Sequence, residues 1–378
     1  GASTPAISID NASGTCTANI TNNLSNRNVV INGSMIVNQR ASSYTATGEE
    51  YLLDRFNHRT GSGFTFDTTT TQDSSAPNGF SKSLKITPDS TQTPTGSHNG
   101  MIATLLEADN LIGFASGTSS AKKFVLSFYA KSASQNNNHQ YSVQLSKKNS
   151  SGQFYYQNRS FTVTSSWQRF TVAFPADTSN NITTGNGEGL RILWHLAAGS
   201  DDIGSAVTSW TSSNGLHAVT GQSNFMDNTS NEFYLTGVQL EASDSDVATD
   251  FEHRSFGQEL ALCQRYFYMH ASGAESSSTG AEAPIGLGYG YTSSDCYVVV
   301  KFPVTMRHYP TMYKVVGTDY FRFAYNNNNA YPDNVGNNRS GINSAEIYFY
   351  SGSSWDQNAG GMVRINDSNA RVGFTAEL

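Results

Sequence analysis

The chain has 378 residues and a formal net charge of −7, and only 14% of its residues are charged against 12% that are aromatic. Its length leaves room for two domains of ordinary size. Lysine and arginine are scattered and form no basic stripe, which argues against a nucleic-acid partner, and no run of about 18 apolar residues is present for membrane insertion.

The N-terminal two thirds of the chain has the pattern of an all-β domain. Residues 1–27 are polar and aperiodic, and we interpret them as a linker or the end of a stalk. From Asn28 onward, short β-branched and aromatic runs alternate with Gly- and Asn-rich turns, which favours an antiparallel sandwich. The clearest predicted strands are Phe124–Tyr129, Tyr141–Leu145, Trp167–Phe174, Arg191–Leu196 and Glu232–Leu240.

Two segments interrupt this strand pattern. Met101–Leu106 is an apolar run that we predict to be helical. Residues 199–229 form a long polar insertion between two predicted strands, and an insertion of that length in a compact domain is usually functional or mobile. We therefore treat this insertion as a candidate contact loop.

A helix is predicted for residues 255–268. Ser255 and Gln258 have the spacing of a capping box, in which each side chain satisfies a backbone N–H of the helix start. A helix this short is marginal in water alone, so it must pack against something. Its apolar edge can lie on its own domain, or it can form a seam shared between identical chains. The residues of that edge recur at spacings of four, three and four: Phe256, Leu260, Cys263 and Phe267.

Beyond the helix the β pattern resumes. Runs such as Tyr297–Phe302, Phe321–Tyr325 and Glu346–Tyr350 are separated by polar turns, which predicts a second, smaller β-sandwich over residues 269–378. The first sandwich is assigned to residues 28–254.

Motifs for catalysis and metal binding are missing from the sequence. The eight histidines form no zinc-binding spacing, and neighbouring carboxylates such as Glu49 and Glu50 cannot face each other across a glycosidic bond. Asp244 and Asp246 could supply oxygens to calcium, but their spacing departs from an EF-hand loop, and we prefer a solvated acidic turn. His195 lies in a predicted strand and is interpreted as a satisfied, half-buried imidazole. We predict no catalytic residues, no metal and no cofactor.

Aromatic residues in polar loops are the remaining candidates for a binding site. A sugar ring can stack its C–H face on Trp or Tyr while neighbouring amides bond its hydroxyls. Most Tyr and Trp of a β-sandwich are core residues, but loop aromatics on a rigid scaffold often bind ligands. On this basis the candidate glycan-binding residues are Trp210, Tyr325, Tyr331 and Trp355.

Several of these segments resemble tailed-phage fibre and receptor-binding proteins. The string GVQLEASDSDVATDFEHRSFGQELALCQRYF, Gly237–Phe267, resembles the hinge that joins a jelly roll to a distal domain in such proteins. LSFYAKS and SSWQRFTVAF are similar to segments of the jelly rolls found in many carbohydrate-binding modules. Weaker matches to the same phage family are Asn28–Arg40, Tyr51–Phe56, Lys301–Met312 and the terminal Ala376–Leu378.

The resemblance implies an all-β fold: a jelly-roll β-sandwich, a short trimerising helix and a distal tip sandwich. It implies a virion fibre or spike protein, which is not an enzyme and binds a host cell-surface receptor, most simply a glycan. It further implies a homotrimer, with Phe256, Leu260, Cys263 and Phe267 at the trimer axis, that attaches to other virion proteins through its N-terminal side. We expect an extracellular location on the virion.

Three other readings stay open at this point. The chain could be a structural fibre of a head, neck or baseplate without a receptor role. It could be a carbohydrate-binding module of a secreted enzyme, which should be monomeric. It could also be a depolymerase of host polysaccharide.

Overall fold

The computed structural model of the protein describes residues 7–9, 16–18, 26–41, 43–46, 48–212, 217–275 and 282–378. The described part is nearly all β, which confirms the predicted fold class. None of its helices is long and apolar enough to cross a membrane. The 3-10 turns are short: Ala108–Phe114, Ser200–Asp202, Phe225–Asp227 and Gly273–Glu275.

The chain divides into two compact units. The jelly-roll unit comprises Gly1–Met35, Thr45–Glu50 and Asn57–His253. The C-terminal unit comprises Arg254–Leu378 together with Ile36–Tyr44 and Tyr51–Phe56. The last two segments fall inside the range that the sequence analysis assigns to the jelly roll.

The jelly-roll unit is built from two six-stranded sheets. The first, which we call the cleft sheet, has the spatial order β11 (Phe154–Thr162), β10 (Gln140–Lys148), β13 (Glu188–Ala198), β8 (Asn99–Glu107), β5 (Phe56–Gly61), β4 (Glu50–Tyr51). The second, the back sheet, has the order β12 (Gln168–Phe174), β9 (Lys123–Ser132), β16 (Phe233–Ser243), β7 (Ser83–Pro88), β6 (Thr68–Asp73), β3 (Ser43–Ala46).

Two further pairs of strands belong to this unit. β1 (Ile7–Ile9) pairs antiparallel with β2 (Cys16–Ala18), and β14 (Ile203–Gly204) pairs parallel with β15 (Ala218–Val219). Between the large sheets lies a core of buried aromatic and aliphatic side chains. Trp194 of the cleft sheet meets Phe128 of the back sheet edge to face at 5.7 Å, and Phe161 meets the same ring at 5.2 Å. Because side chains alternate along a strand, the neighbours of Trp194 point away from this core.

The prediction of a helix at Met101–Leu106 is wrong. This run is the centre of β8, whose residues are all buried, and β8 pairs antiparallel with β13 along its length. A short continuous apolar run fits either a buried helix or a buried strand, so its periodicity could not decide between them.

The C-terminal unit contains a three-stranded and a seven-stranded sheet. The first has the order β17 (Phe267–Ser272), β26 (Arg371–Thr375), β20 (Thr311–Val315). The second has the order β22 (Asn328–Ala330), β21 (Phe321–Tyr325), β25 (Gly360–Ile365), β18 (Pro284–Gly290), β19 (Asp295–Lys301), β24 (Ser344–Tyr350), β23 (Asn334–Ser340). Their buried faces share one apolar core, which includes Val298, Phe323, Ile347 and Phe374.

The predicted helix is present as α1 (Phe256–Gln264), and its capping box is confirmed. The Ser255 hydroxyl accepts from the Gln258 backbone N–H, and Gln258 Oε1 accepts from the Ser255 backbone N–H at 3.0 Å. The helix is shorter than predicted because β17 already begins at Phe267.

Candidate functional site

A cavity of about 300 Å³ opens on the face of the cleft sheet that points away from the core. Five adjacent strands of that sheet, β11, β10, β13, β8 and β5, supply lining residues. The lining residues are Glu49, Arg59, Thr60, Asn99, Met101, Gln144, Ser146, Phe154, Tyr156, Arg191, Leu193, His195, Ser212 and His217. We call this cavity the cleft, and all of its lining residues belong to the jelly-roll unit.

Strand register brings these side chains together. His195 of β13 lies opposite Met101 of β8, and Leu193 lies opposite Gln144 of β10. Since side chains alternate with a period of two, a shift of the pairing register by one residue would point all of these side chains towards the core. The packing of Trp194 against Phe128 therefore also fixes which face carries the cleft residues.

His195 is the most deeply buried polar residue of the cleft floor. Its Nε2 donates to Gln144 Oε1 at 3.0 Å, whereas its Nδ1 has no hydrogen-bond partner. Burial holds the pKa of His195 well below its usual value of 6.5, and the neighbouring His217 lowers it further. The imidazole is thus neutral, and Nδ1 presents a lone pair. The interpretation of His195 as a satisfied, half-buried imidazole is wrong, because only one of its ring nitrogens is paired and the ring is fully buried.

Asn99 supplies a second buried acceptor. Its Nδ2 donates to Asp202 Oδ2 at 2.6 Å, which fixes the orientation of the amide, and its Oδ1 has no partner. Gly61 makes room for this side chain, since a Cβ at that position would lie 2.4 Å from Asn99 Oδ1. A buried polar atom without a partner is costly, and a ligand can supply the missing hydrogen bond.

Aromatic side chains form one wall of the cleft. The Tyr156 ring stacks on the His217 ring, with centroids 6.2 Å apart and planes inclined by 18°. Phe154, two residues earlier on the same face of β11, lies under the Arg191 guanidinium at 4.2 Å. This wall offers flat apolar surface next to the polar floor.

The long insertion at residues 199–229 contributes to the same wall. Thr211 and Tyr156 exchange backbone hydrogen bonds, and Asn158 Nδ2 donates to the His217 carbonyl at 3.1 Å. The insertion therefore lies along the edge of β11 and adds Ser212 and His217 to the cleft. Its residues 213–216 lie outside the described residues.

The charged groups around the cleft are already paired. Arg59 Nη2 lies 2.9 Å from Glu49 Oε1, and Arg191 forms a two-point contact with Glu188. Asp202, a third carboxylate, accepts from Asn99 as described above. Three carboxylates thus surround two guanidinium groups, so the cleft carries no excess of positive charge.

The predicted glycan-binding residues do not lie in the cleft. Tyr325 and Trp355 are buried in the core of the C-terminal unit, where they pack on Phe323. Tyr331 is half-buried in that unit, and its backbone N–H donates to Ser353 Oγ at 3.1 Å.

Trp210 is half-buried and packs against its own jelly-roll unit. Its Nε1 donates to the Pro175 carbonyl at 2.8 Å, and its ring meets Phe124 edge to face. Lys147 Nζ lies 5.1 Å from the ring centre, and Lys147 is itself buried and paired with Asp177. Trp210 covers this buried ion pair.

The four residues predicted for the trimer axis differ in their solvent exposure. Phe256 is 57% exposed and Leu260 is partly buried, so both can meet another chain. Cys263 and Phe267 are fully buried within the C-terminal unit. The exposed part of the predicted seam is therefore Phe256 and, in part, Leu260.

Phe267 is buried because a charged cluster covers it. The Arg40 guanidinium lies 3.7 Å from the centre of the Phe267 ring, and Arg40 Nη2 contacts Glu377 Oε1 at 2.9 Å. Asp54 lies 3.7 Å from the other side of the same guanidinium and accepts from the Gln39 backbone N–H at 2.7 Å.

A second arginine completes what we call the ion cluster, Arg40, Asp54, Arg55 and Glu377. Arg55 contacts Glu377, and its guanidinium lies 3.6 Å from the centre of the Tyr266 ring. Burial by itself would lower the pKa of Arg55, but Glu377 raises it above its ordinary range. All four side chains are at least nine-tenths buried, and each charge faces an opposite one.

The acidic turn that was weighed as a calcium site is engaged in ion pairs. Asp244 contacts Lys122 at 2.7 Å, and Asp246 contacts Lys123 at 2.8 Å. Across the described residues, no group of three or more His, Cys, Asp or Glu is placed to hold a metal ion.

Sequence reasoning missed the cleft residues Tyr156, His195, Asn99 and Gln144. A usable signal was present in part: strands β10, β11 and β13 carry polar residues such as Gln144 and His195 at alternate positions. Polar residues on one face of a strand usually point to solvent, so this pattern does not by itself reveal a cavity.

No protein-family description and no curated protein matches the chain. Among solved structures, a family 11 carbohydrate-binding module of a cellulosomal cellulase from Clostridium thermocellum is similar at 15% identity and a TM-score of 0.28, covering 56% of this chain and 99% of that one. A candidate sugar-binding protein from Bacteroides thetaiotaomicron is similar at 11% identity and a TM-score of 0.32, covering 57% of this chain and 100% of that one. The enzymatically active domain of a bacteriophage CBA120 tailspike is similar at 12% identity and a TM-score of 0.27, covering 57% of this chain and 21% of that one. At TM-scores this low, the similarity does not establish a common family.

Proposed function

We propose that this chain is a glycan-binding fibre or spike protein of a tailed phage, and that the cleft of its jelly-roll unit holds the glycan. One observation carries the proposal: two buried acceptors without partners, His195 Nδ1 and Asn99 Oδ1, lie on the floor of a cavity walled by Tyr156. Saccharide hydroxyls can donate to such acceptors while the sugar ring covers the aromatic wall.

The proposed role is binding without catalysis. Hydrolysis of a glycosidic bond uses two carboxyl groups that flank the bond. Among the described lining residues of the cleft, Glu49 is the one carboxylate, and it lies 2.9 Å from Arg59. A depolymerase would contradict this part of the proposal, and the release of reducing ends from a bound polysaccharide would reveal one.

Substitution of the aromatic wall tests the glycan site. Tyr156→Ala removes the ring that the sugar would cover and should weaken binding about tenfold, which corresponds to about 1.4 kcal/mol. Thr171→Ala is the matched control, because Thr171 is exposed on the back sheet. Isothermal titration with bacterial envelope polysaccharide measures both. Equal affinity of Tyr156→Ala and the wild type would place the glycan elsewhere.

The virion assignment is supported by the sequence resemblance of Gly237–Phe267 to phage fibre hinges and includes the proposed homotrimer. Light scattering should then give three copies of a 40.9 kDa chain, independent of concentration. Leu260→Glu should abolish the trimer because it places a charge on the proposed seam, whereas Ala261→Glu, on the exposed side of α1, should not.

The main alternative is a carbohydrate-binding module of a secreted enzyme. The cleft fits this alternative equally well, so the oligomeric state decides between the two. A monomeric wild type would remove the seam and favour the secreted module. Labelling of intact virions would separate a receptor-binding fibre from a structural fibre of the head, neck or baseplate.

A further inference from the structure

We infer that the cleft selects an uncharged glycan over an acidic one. The inference rests on the proposed function and adds the chemical class of the ligand. It follows from two independent features of the cleft, the pairing of its charges and the kind of hydrogen-bonding atoms on its floor.

Both arginines among the described lining residues of the cleft are already paired with carboxylates. Arg59 is held by Glu49, and Arg191 is held through two contacts by Glu188. Asp202 adds a third carboxylate beside Asn99. A sugar carboxylate would have to displace a protein carboxylate from its arginine or enter a site with an excess of negative charge, and both are unfavourable.

The floor of the cleft accepts hydrogen bonds. Because His195 Nε2 donates to Gln144 Oε1, the proton of the neutral ring is on Nε2 and Nδ1 can only accept. Asn99 Oδ1 likewise accepts only. A saccharide hydroxyl can donate to both atoms. A carboxylate or sulfate group has no proton to donate and would face their lone pairs.

Fractionated polysaccharide tests this inference with the full-length protein. Bacterial envelope polysaccharides, pooled from several strains, are separated by anion exchange into an unretained neutral fraction and a retained acidic fraction, and each is titrated into the protein. We expect binding to the neutral fraction at least tenfold tighter than to the acidic one, with little dependence on salt.

The outcomes separate the two proposals. Tighter binding to the acidic fraction, or equal binding to both, would overturn the inference while leaving glycan binding in place. Binding to neither fraction would contradict the proposed function itself.

Removal of one cleft carboxylate provides a sharper test. Glu49 is more than half exposed, so Glu49→Gln is compatible with folding, and it leaves Arg59 without its partner. This variant should bind the acidic fraction at least fivefold more tightly than the wild type does. Thr171→Ala should change neither affinity. An unchanged affinity of Glu49→Gln for the acidic fraction would show that the paired charges do not set the selectivity.

Discussion

The cleft of the jelly-roll unit and the ion cluster of the C-terminal unit both bury polar groups, but they satisfy them differently. In the ion cluster, Glu377 lies between two arginines, and each charge faces an opposite one. In the cleft, His195 and Asn99 each keep a buried acceptor without a partner beside an open cavity. The pairing of opposite charges stabilises a buried cluster, whereas acceptors without partners next to a cavity indicate that a ligand supplies the missing hydrogen bonds.

The largest effect is expected at the ion cluster. Glu377→Gln leaves the guanidinium groups of Arg40 and Arg55 buried without their shared counter-charge, and it should lower the free energy of unfolding by about 3–5 kcal/mol. Urea unfolding measures the loss. Glu346→Gln in the same unit is the control, because Glu346 is only partly buried and its carboxylate accepts from the Asn338 amide. A loss below about 1 kcal/mol for Glu377→Gln would contradict the structural role of the cluster.

A smaller effect is expected when the pH is lowered, because two buried histidines of the cleft make the folding stability depend on pH. Burial lowers the folded-state pKa of His195 and of His217, while Asp202 raises the latter in part. A lowered histidine pKa means that the folded state binds fewer protons than the unfolded state. The contribution of each histidine to the free energy of unfolding is therefore fully present above about pH 6.5. It is lost as the pH falls below that value, by at most about 1.4 kcal/mol per pH unit for each histidine.

His195→Phe tests this assignment. The free energy of unfolding at about pH 7.5, measured with urea, should fall by about 1–3 kcal/mol, because Phe cannot donate to Gln144 Oε1 and leaves this buried acceptor without its partner. The loss of stability between about pH 7.5 and about pH 5.5 should become smaller than in the wild type. His308→Gln, at an exposed position, should leave that loss unchanged. A wild-type slope in His195→Phe would show that His195 does not titrate as described.

The fold was predictable to a large extent because its signals are local. Alternating runs such as Phe124–Tyr129 and the Ser255–Gln258 capping box specify their own conformations. Met101–Leu106 was not predictable, since an apolar run of six residues has no decisive period and its pairing with β13 is a long-range event.

The candidate site was not predictable for the same reason. The cleft joins Asn99, Gln144, Tyr156 and His195 from four strands, and only the register of the cleft sheet brings them to one face. The polar surroundings of an aromatic residue in the sequence also did not reveal how deeply its ring is buried. Trp355 lies among polar residues in the sequence, yet its ring is buried against Phe323.

The most direct test of the glycan site is a crystal structure of the full chain soaked with neutral oligosaccharides released from the bound polysaccharide. We predict a sugar ring against Tyr156, with hydroxyl groups within hydrogen-bonding distance of His195 Nδ1 and Asn99 Oδ1. A sugar bound elsewhere on the protein, with the cleft holding only water, would contradict the account.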